Sequence, residues 1–422
     1  MRKILFIAPH FPPSNLAAVH RTRLFARHLP TFGWEPLVLT VHERYYEETP
    51  DWELLKLVSD SLRVYKVKAF PLTRPRLIGD LGLRAFFQLY KAAQQIIKKE
   101  QIDFLFIPIP SFYAALLGRW LHARTGVKYG IDYIDPWVHE FPGSEKIFSR
   151  HWFSTRLANF LEPIAVRSAS LITGVAAGYY EGVIQRNPQL ARHALFGAMP
   201  YGGEQEDHQA VSSLTGKTLL FSKKPDKLQL VYAGALLPKS HDLLEFLFLV
   251  ISQNAELFNG VEFHFIGTGK PGESGNTIIE QMAKQYSLWN TSVFEYPERI
   301  PYLDVLYNIH NAGGVFILGS TEPHYTPSKT YQAVLSAKPI WAILHGASSA
   351  ARVLDETGSG LVFTFEQVGE VETIAYQLAE SFGRFRAFTK SFDPAKVDMG
   401  RFESYSARTV TGKLVELLNR LV

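Results

Sequence analysis

The sequence predicts an α/β protein built from two doubly wound halves, and two observations support this prediction. Short apolar segments alternate with longer amphipathic segments along most of the chain. The alternation stops over residues 199–227, which are polar and weakly periodic, and then resumes. Alternating strands and helices are typical of parallel sheets with crossover helices on both faces. We therefore expect residues 199–227 to connect two domains.

The elements of the first half follow from the spacing of apolar residues. Its expected strands are Lys3–Ala8, Pro36–Val41, Leu62–Val67, Phe104–Ile109, Tyr129–Ile134 and Leu171–Thr173. Its expected helices are Thr22–Leu29 (with a start near Ala18), Arg84–Lys98, Tyr113–Ala123 and Trp152–Arg167.

The second half repeats the pattern and ends in an amphipathic helix. Its expected strands are Leu228–Ala233, Val261–Ile266, Ser292–Phe294, Gly314–Leu318, Pro339–Leu344 and Leu361–Phe363. Its expected helices are Asp242–Asn254, Ile278–Tyr286, Leu303–His310, Thr330–Leu335, Ala350–Glu356, Val371–Phe382 and Ala407–Val422. Ligands of such sheets bind beyond the carboxyl ends of the strands, and a cleft between two such halves is the expected site.

Composition excludes several classes of function. The 422 residues include 44 Lys and Arg against 40 Asp and Glu, which leaves a net charge of +4. This excess gives no support for a nucleic-acid partner, which normally needs a concentrated basic face. The absence of Cys excludes disulfides, thiolate nucleophiles and zinc–cysteine sites.

The N-terminus predicts a buried strand and not a targeting segment. Its apolar stretch Ile4–Ala8 is too short for a signal peptide and ends at Pro9. No stretch approaches the roughly 20 apolar residues that cross a bilayer. We expect a cytoplasmic protein.

Two segments of the first half carry candidate ligand-binding side chains. His20 and Arg21 stand in the first turns of the helix after strand one, where they could meet sugar hydroxyls, although two solvated surface residues explain them equally well. Asp135, Trp137 and His139 follow the strand Tyr129–Ile134. A carboxylate and an imidazole there could orient an acceptor hydroxyl or take its proton. The alternative is an Asp-Pro-Trp turn in which Trp137 packs.

Glycines follow two predicted strands of the second half. Gly234 comes after the first of them, and Lys239 lies just before the next helix, which together could hold a diphosphate. Gly267 and Gly269 follow the second strand in the same way. An ordinary turn explains either segment without a ligand.

Residues 319–345 are the most informative segment. A polar loop with Glu322 follows a predicted strand, and Pro327, Ser328 and Lys329 come directly before a helix. Backbone N–H groups, a hydroxyl and a cation together suit a phosphate. Glu322 is placed to accept hydrogen bonds from sugar or ribose hydroxyls.

At this segment the chain resembles family 4 of the glycosyltransferases, the retaining and metal-independent enzymes of the GT-B fold. Pro327 to Tyr331, with Lys338-Pro339 further on, is similar to that family's donor-binding helix and following strand. Residues 4–14 with Arg21 and residues 33–40 look like its N-terminal start, and residues 132–137 like its Asp-x-x-Asp-x-Trp stretch. Residues 200–203 look like its interdomain turn, and residues 265–269 like its Ile-Gly-x-Gly strand end.

The resemblance implies a GT-B fold, with two Rossmann-like doubly wound domains facing a central cleft and a C-terminal helix that crosses back. Residues 1–200 with the helix 404–422 would form the acceptor-side domain, and residues 201–403 the nucleotide-sugar domain. The implied reaction transfers a sugar from a nucleoside-diphosphate sugar to an acceptor hydroxyl with retention, in envelope or other glycan biosynthesis. Lys329 would stabilise the departing diphosphate, with Asp135 or His139 near the acceptor, and no metal or other cofactor is expected.

The chain departs from the family's pattern at the donor site. Ala235 stands where family members commonly carry Arg, which leaves Lys239 as the cation of that loop. His324 and Gln332 occupy the positions of two Glu residues, of which the second would meet the donor ribose. A neutral amide makes weaker hydrogen bonds than a carboxylate.

These departures leave other functions open. A nucleotide-sugar epimerase of GT-B fold and a non-catalytic sugar-nucleotide-binding protein are the alternatives. The acceptor could be a glycan, a lipid-linked sugar or a small molecule. The basic and apolar segment 74–100 could rest on anionic lipid at the inner face of a membrane, although a core-facing helix is the better interpretation.

Overall fold

The chain divides into two units, each of which contains one parallel sheet. The computed structural model describes residues 1–73, 79–138, 146–213, 216–269, 277–367 and 371–422. The N-terminal unit comprises Met1–Tyr201 and Ala407–Val422, and the C-terminal unit comprises Gly202–Ser406. His139 lies outside the described residues, so its predicted role stays a prediction.

The N-terminal unit contains a parallel sheet, which has seven strands among the described residues, in the order β3-β2-β1-β4-β5-β6-β7. The strands are β1 Arg2–Ile7, β2 Trp34–Val41, β3 Arg63–Val67, β4 Phe104–Ile109, β5 Lys128–Tyr133, β6 Leu171–Gly174 and β7 Leu195–Ala198. The central strand β4 is buried along its whole length. Burial on both faces explains its continuous apolar run, as expected for a parallel sheet covered by helices.

Helices cover both faces of this sheet. They are α1 Ala17–His28, α2 Leu81–Arg84, α3 Phe86–Glu100, α4 Ala115–Thr125, α5 Arg150–Val166 and α6 Gly178–Arg186. Helix α3 buries a stripe of Phe86, Leu89, Ala93, Ile96 and Ile97 in the core. Helix α3 therefore faces the core, as the core-facing interpretation of residues 74–100 expects. Residues 74–78 lie outside the described residues.

The C-terminal unit contains the second parallel sheet, with six strands in the part of the chain that the structure describes. Their order is β10-β9-β8-β11-β12-β13, and their bounds are β8 Leu228–Ala233, β9 Val261–Ile266, β10 Val293–Tyr296, β11 Gly314–Leu318, β12 Ile340–His345 and β13 Gly360–Phe365. The helices are α7 Gln205–Ser213, α8 His241–Gln253, α9 Ile278–Gln285, α10 Tyr302–Asn311, α11 Thr330–Leu335, α12 Ser349–Thr357, α13 Val371–Ser391 and α14 Met399–Phe402. The last helix, α15 Ala407–Asn419, belongs to the N-terminal unit and packs against α1.

Several predicted elements have the observed bounds, and the misses have physical reasons. The strands Phe104–Ile109, Leu228–Ala233, Val261–Ile266 and Gly314–Leu318 and the helix Thr330–Leu335 are confirmed to the residue. The sequence analysis missed β7 and α6, since a four-residue edge strand and a nine-residue helix carry weak periodic signals. It also missed α7, which forms within the expected connection 199–227 and packs on α10. The two units divide between Tyr201 and Gly202, inside that segment.

Among the described residues, none of the helices is both long enough and apolar enough to cross a membrane.

Two helical glycines test how tightly the layers pack. A Cβ at Gly118 in α4 would lie 2.3 Å from the Tyr129 ring, so Gly118→Ala should lower the free energy of unfolding by about 1–3 kcal/mol. At Gly383 in α13 the nearest atom would be 3.7 Å away, so Gly383→Ala should raise it by about 0.5–1 kcal/mol. Urea unfolding of both variants checks the pair, and equal effects at the two positions would contradict this packing.

Candidate functional site

The loops that carry the predicted donor residues meet at one edge of the second sheet. Strands β9, β8 and β11 are neighbours and run parallel, so their carboxyl ends lie together. Gly267 follows β9, Gly234 follows β8, and residues 319–329 follow β11. The strand order reverses between β8 and β11, and the crevice beyond that point is where open α/β sheets bind ligands.

Gly234 and Lys329 are in direct contact at this edge. Gly234 has a φ of 127°, a backbone angle that residues with a side chain rarely adopt. A Cβ built on Gly234 would lie 1.2 Å from Lys329 Nζ. The lysine therefore lies over the bare backbone of Gly234, in space that any other residue would fill. The sequence predicted both residues as ligands but not that they touch.

Lys329 is half-buried, and within the described residues its Nζ makes no hydrogen bond or ion pair. Burial, the main cause, lowers the pKa of Lys329 to about 7, and the positive charge of Arg299 lowers it further. Two cations at one edge, one of them without a counter-ion, form a site that an anion would stabilise. Arg299 was missed, although its place just after the strand β10 was a usable signal.

A small cavity of about 50 Å³ opens beside Lys329. Its lining includes Tyr232, Ala235, Tyr325 and Ser328. Ala235 stands where the family that the chain resembles commonly has Arg. Because Ala235 is uncharged, Lys329 supplies the positive charge in the lining of this cavity.

Lys239 and Glu322, both predicted to bind the donor, form an ion pair with each other. Lys239 Nζ lies 2.8 Å from Glu322 Oε1, and both side chains are partly exposed. The backbone reinforces the contact, since the N–H of Thr321 donates to the carbonyl of Lys239 at 3.0 Å. The pair joins the loops after β8 and β11.

Gln332 is held by His208, which in turn contacts His310. Its Oε1 lies 2.8 Å from Nε2 of His208, and Nδ1 of His208 lies 2.8 Å from Nε2 of His310. Burial, the main cause, lowers the pKa of His208 to about 4, so the ring is neutral near pH 7. If Nε2 of His208 donates to Gln332, its Nδ1 must accept from His310. His208 belongs to α7, which the sequence did not predict, so this contact had no sequence signal.

Gly267 and Gly269 have backbone roles in their loop. Gly267 has a φ of 69°, which fits the alternative of a turn. The N–H of Gly269 donates to the Pro297 carbonyl at 2.9 Å, and a Cβ on Gly269 would approach that carbonyl oxygen at 3.0 Å. Their predicted role in donor binding stays a prediction.

Arg21 is fully buried, so the interpretation of Arg21 as a solvated residue is wrong. Its guanidinium donates to Asp132 at 2.6 and 3.0 Å and to the carbonyls of Met199 and Pro200 at 2.7 and 2.6 Å. Asp132 also accepts from the Thr173 hydroxyl at 2.7 Å. These contacts join α1, β5, β6 and the residues just before Tyr201, and each of the three guanidinium nitrogens makes at least one hydrogen bond.

The remaining predicted residues of the N-terminal unit differ in burial. Trp137 is buried and stacks on Phe112 at 6.0 Å between ring centroids, as the packing alternative expects. Asp135 is exposed, and His20 is half-buried with its Nδ1 3.5 Å from Arg23 Nη2. The structure does not test their acceptor-side or catalytic roles, which stay predictions.

A histidine–carboxylate pair that the sequence analysis missed lies after β1. His10 Nδ1 is 3.0 Å from Glu48 Oε1, and the Ser14 hydroxyl donates to the same oxygen. Burial alone would raise the pKa of Glu48, but the hydrogen bonds from His10 and Ser14 bring it down to about 2. The strand order reverses between β1 and β4, so this pair follows a strand that borders the crevice where the first sheet would bind ligands.

Across the described ranges, no group of three or more His, Asp or Glu side chains is placed to hold a metal ion.

Comparison with known proteins shows the fold. No protein-family model matches the chain, and no curated protein sequence matches it. Among solved structures, Anabaena HepE in complex with UDP-glucose superposes with a TM-score of 0.63 at 15% identity, covering 100% of both chains. Sucrose-phosphate synthase from Thermosynechococcus elongatus gives 0.65 at 16% identity, covering 100% of this chain and 99% of that one.

A UDP-forming trehalose-phosphate synthase from Burkholderia xenovorans gives 0.61 at 12% identity, covering 99% of each chain. With two Rossmann-like units and these neighbours, the chain has the GT-B fold, and that prediction is confirmed. One neighbour is described as a glycosyltransferase, from Rickettsia africae, with a TM-score of 0.63 at 13% identity, covering 100% of this chain and 98% of that one.

The buried Arg21–Asp132 pair should be costly to break. Asp132→Asn keeps the shape but leaves a buried guanidinium without its counter-charge, so we expect a loss of about 3–5 kcal/mol in the free energy of unfolding. Glu35→Gln, which removes a partly exposed partner of Arg63, should cost less than about 1 kcal/mol. Urea titration measures both, and similar small losses would contradict a stabilising role of Asp132.

Lys329 should make the stability of the protein depend on pH. Its folded-state pKa of about 7 is below the usual 10.5, so between these values the unfolded chain holds the extra proton. The group's contribution to stability therefore rises with pH over this window, and the cost of burying the charge is greatest below pH 7. Lys329→Met should raise the melting temperature most at or below pH 7, with a gain that shrinks towards pH 10.5.

Thermal unfolding across this pH range measures the effect. Lys284→Met serves as the control, because Lys284 is exposed and pairs with Glu280 one helical turn away. A gain from Lys329→Met that stays constant with pH would contradict a buried, unpaired cation.

Proposed function

We propose that the protein is a retaining glycosyltransferase that takes its sugar from a uridine-diphosphate sugar. The observation that carries the proposal is Lys329, a half-buried cation without a counter-ion that lies over the bare backbone of Gly234. A diphosphate would supply the missing negative charge. Its binding would raise the pKa of Lys329 and keep the ammonium protonated.

The chemistry needs a cation at this place. When the bond between the sugar C1 and the diphosphate oxygen breaks, negative charge grows on that oxygen. Lys329, half-buried beside Gly234, stabilises this charge, and Arg299 adds to the local positive potential. Ser328, which lines the same cavity, offers a hydroxyl to a phosphate oxygen.

We propose uridine as the base, because HepE, which has the same fold, forms complexes with UDP and with UDP-glucose. In the family that the chain resembles, the residue at the position of Gln332 binds the ribose. With its Oε1 engaged by His208, its amide N–H groups remain to donate to ribose hydroxyls, whereas a carboxylate would accept from them. Lys239, Glu322, Gly267 and Gly269 complete the proposed donor side.

The C-terminal unit is the proposed donor domain, and the N-terminal unit is the proposed acceptor domain. The proposed catalytic residues are Asp135 and His139. The proposed acceptor-side residues are His20, Arg21 and Trp137. His10 joins them, since Glu48 fixes its ring by holding Nδ1 and leaves Nε2 to accept a hydroxyl proton. The proposed acceptor is a glycan, a lipid-linked sugar or a small molecule. We propose that the enzyme acts in the cytoplasm without a metal, in glycan biosynthesis, with peripheral membrane contact where the acceptor is lipid-linked.

Two observations favour alternatives of the same fold. Ala235 and Gln332 remove charged groups from the donor site, and Lys239 is already paired with Glu322. A non-catalytic nucleotide-sugar-binding protein fits this weaker site, and so does a nucleotide-sugar epimerase. Net release of UDP separates them, because a transferase frees UDP as it glycosylates an acceptor, whereas the product of an epimerase is again a nucleotide sugar and a binding protein leaves its ligand unchanged.

Nucleotide binding tests the donor site directly. In thermal-shift measurements with a chelator present, UDP and UDP-glucose should stabilise the protein by about 2.7 kcal/mol at about 100 times their Kd. Gly234→Ala, whose new methyl group would displace Lys329, and Lys329→Met should each lose most of this shift. Lys284→Met, at an exposed position of the same unit, should retain it.

Other outcomes would count against the proposal. A shift with GDP or ADP but not UDP would keep the donor site and replace the base. No shift with any of these nucleotides would exclude the proposed donor. A full shift in both site variants would place the nucleotide at another site. Loss of the shift on chelation would overturn the proposed independence of metal.

A further inference from the structure

An unusual share of the exposed apolar side chains belongs to one segment of the N-terminal unit. Large apolar residues are exposed at six positions between 147 and 164, among them Phe148 at 75%, Phe160 at 68% and Phe153 at 54%. The others are Ile147, Leu157 and Ile164. Scattered exposed apolar residues are ordinary, but a contiguous set marks an interaction surface.

Helix α5 arranges this set as a stripe. Phe153, Leu157, Phe160 and Ile164 are spaced by four, three and four residues, so they lie along one face of the helix. At 1.5 Å per residue, the helical part of the set, from Phe153 to Ile164, extends over about 16 Å. The opposite face of α5 is buried in the unit through Ala158, Ala165 and Val166. The helix is therefore apolar on both faces, one of which has no partner within the described residues.

Basic residues border the stripe. Lys146, Arg156 and Arg167 are exposed, and the guanidinium of Arg156 lies 5.1 Å from the centre of the Trp152 ring. Glu162 is the sole acidic residue of the sequence between 146 and 180. It is buried and bound by Arg186 at 2.8 Å, so it does not offset the charge of the stripe.

We propose that this face of α5 docks on an anionic lipid surface. An apolar stripe rich in Phe with cations beside it matches the acyl-chain boundary and the negative headgroups of such a surface. A second copy of the chain, packed by twofold symmetry, would bring the same cations against each other, so charge complementarity favours lipid. Because no described helix can span a bilayer, α5 would lie in the interface plane.

This lipid-docking surface differs from the segment that the sequence analysis considered for contact with lipid. The segment 74–100 attracted attention through its basic and apolar composition, yet α3 buries its apolar stripe in the core and leaves Phe87 exposed. The inference concerns the surface of the N-terminal unit and does not rest on the proposed transferase activity.

Vesicle sedimentation of the full chain tests the proposal. The protein should sediment with vesicles made of equal parts phosphatidylglycerol and phosphatidylcholine, and much less with phosphatidylcholine alone. The double substitution Phe153→Ser, Phe160→Ser should weaken the partition at least about tenfold, because two side chains that would enter the interface become polar. Lys146→Glu with Arg156→Glu should weaken binding to the anionic vesicles, and added salt should do the same.

Phe87→Ser is the matched control, since Phe87 is as exposed as Phe160 but lies on α3. It should bind vesicles like the unchanged protein. All of these positions are exposed, so the variants should keep their melting temperature, which thermal unfolding verifies.

Any of the following results would overturn the proposal. The unchanged protein could fail to sediment with anionic vesicles, or bind neutral and anionic vesicles equally. The α5 variants could bind as well as the unchanged protein, or Phe87→Ser could abolish binding in their place. A dimer seen by sedimentation velocity and lost in Phe153→Ser, Phe160→Ser, without vesicle binding, would assign the face to a second copy of the chain.

Discussion

Parallel strand pairing is the constraint from which the candidate site follows. All strands of a sheet run parallel, so every loop after a strand emerges at the same edge of its sheet. In the C-terminal unit this brings Gly234, after β8, under the side chain of Lys329, which follows β11. Residues 95 positions apart in the sequence thereby form one anion-binding candidate. The same rule places His10 after β1, beside the reversal of strand order in the first sheet.

Charge balance distinguishes the cations of this edge. Lys239 has a carboxylate partner in Glu322, whereas Lys329 is desolvated beside Arg299 and has none in the described chain. An unpaired buried cation lowers stability, so its retention is more readily explained by a ligand than by folding. Arg21 shows the opposite case, because its buried guanidinium donates to the carboxylate of Asp132 and to two backbone carbonyls.

Surface exposure separates two helices that look alike in sequence. Both α3 and α5 combine aromatic and basic residues, and composition gives no reason to choose between them. Helix α3 covers the sheet with its apolar stripe, whereas α5 is apolar on two faces and can bury one of them in the unit. The unburied face is the one that needs an explanation outside the chain.

The sequence by itself determined the alternation of strands and helices, the two halves and the residues that follow each strand. These features depend on local periodicity, which is why β4, β8, β9 and β11 have the predicted bounds. Tertiary structure decided which of those residues touch. The contact of Lys329 with Gly234, the capture of Gln332 by His208 and the burial of Arg21 join distant segments, and no local pattern encodes such distances.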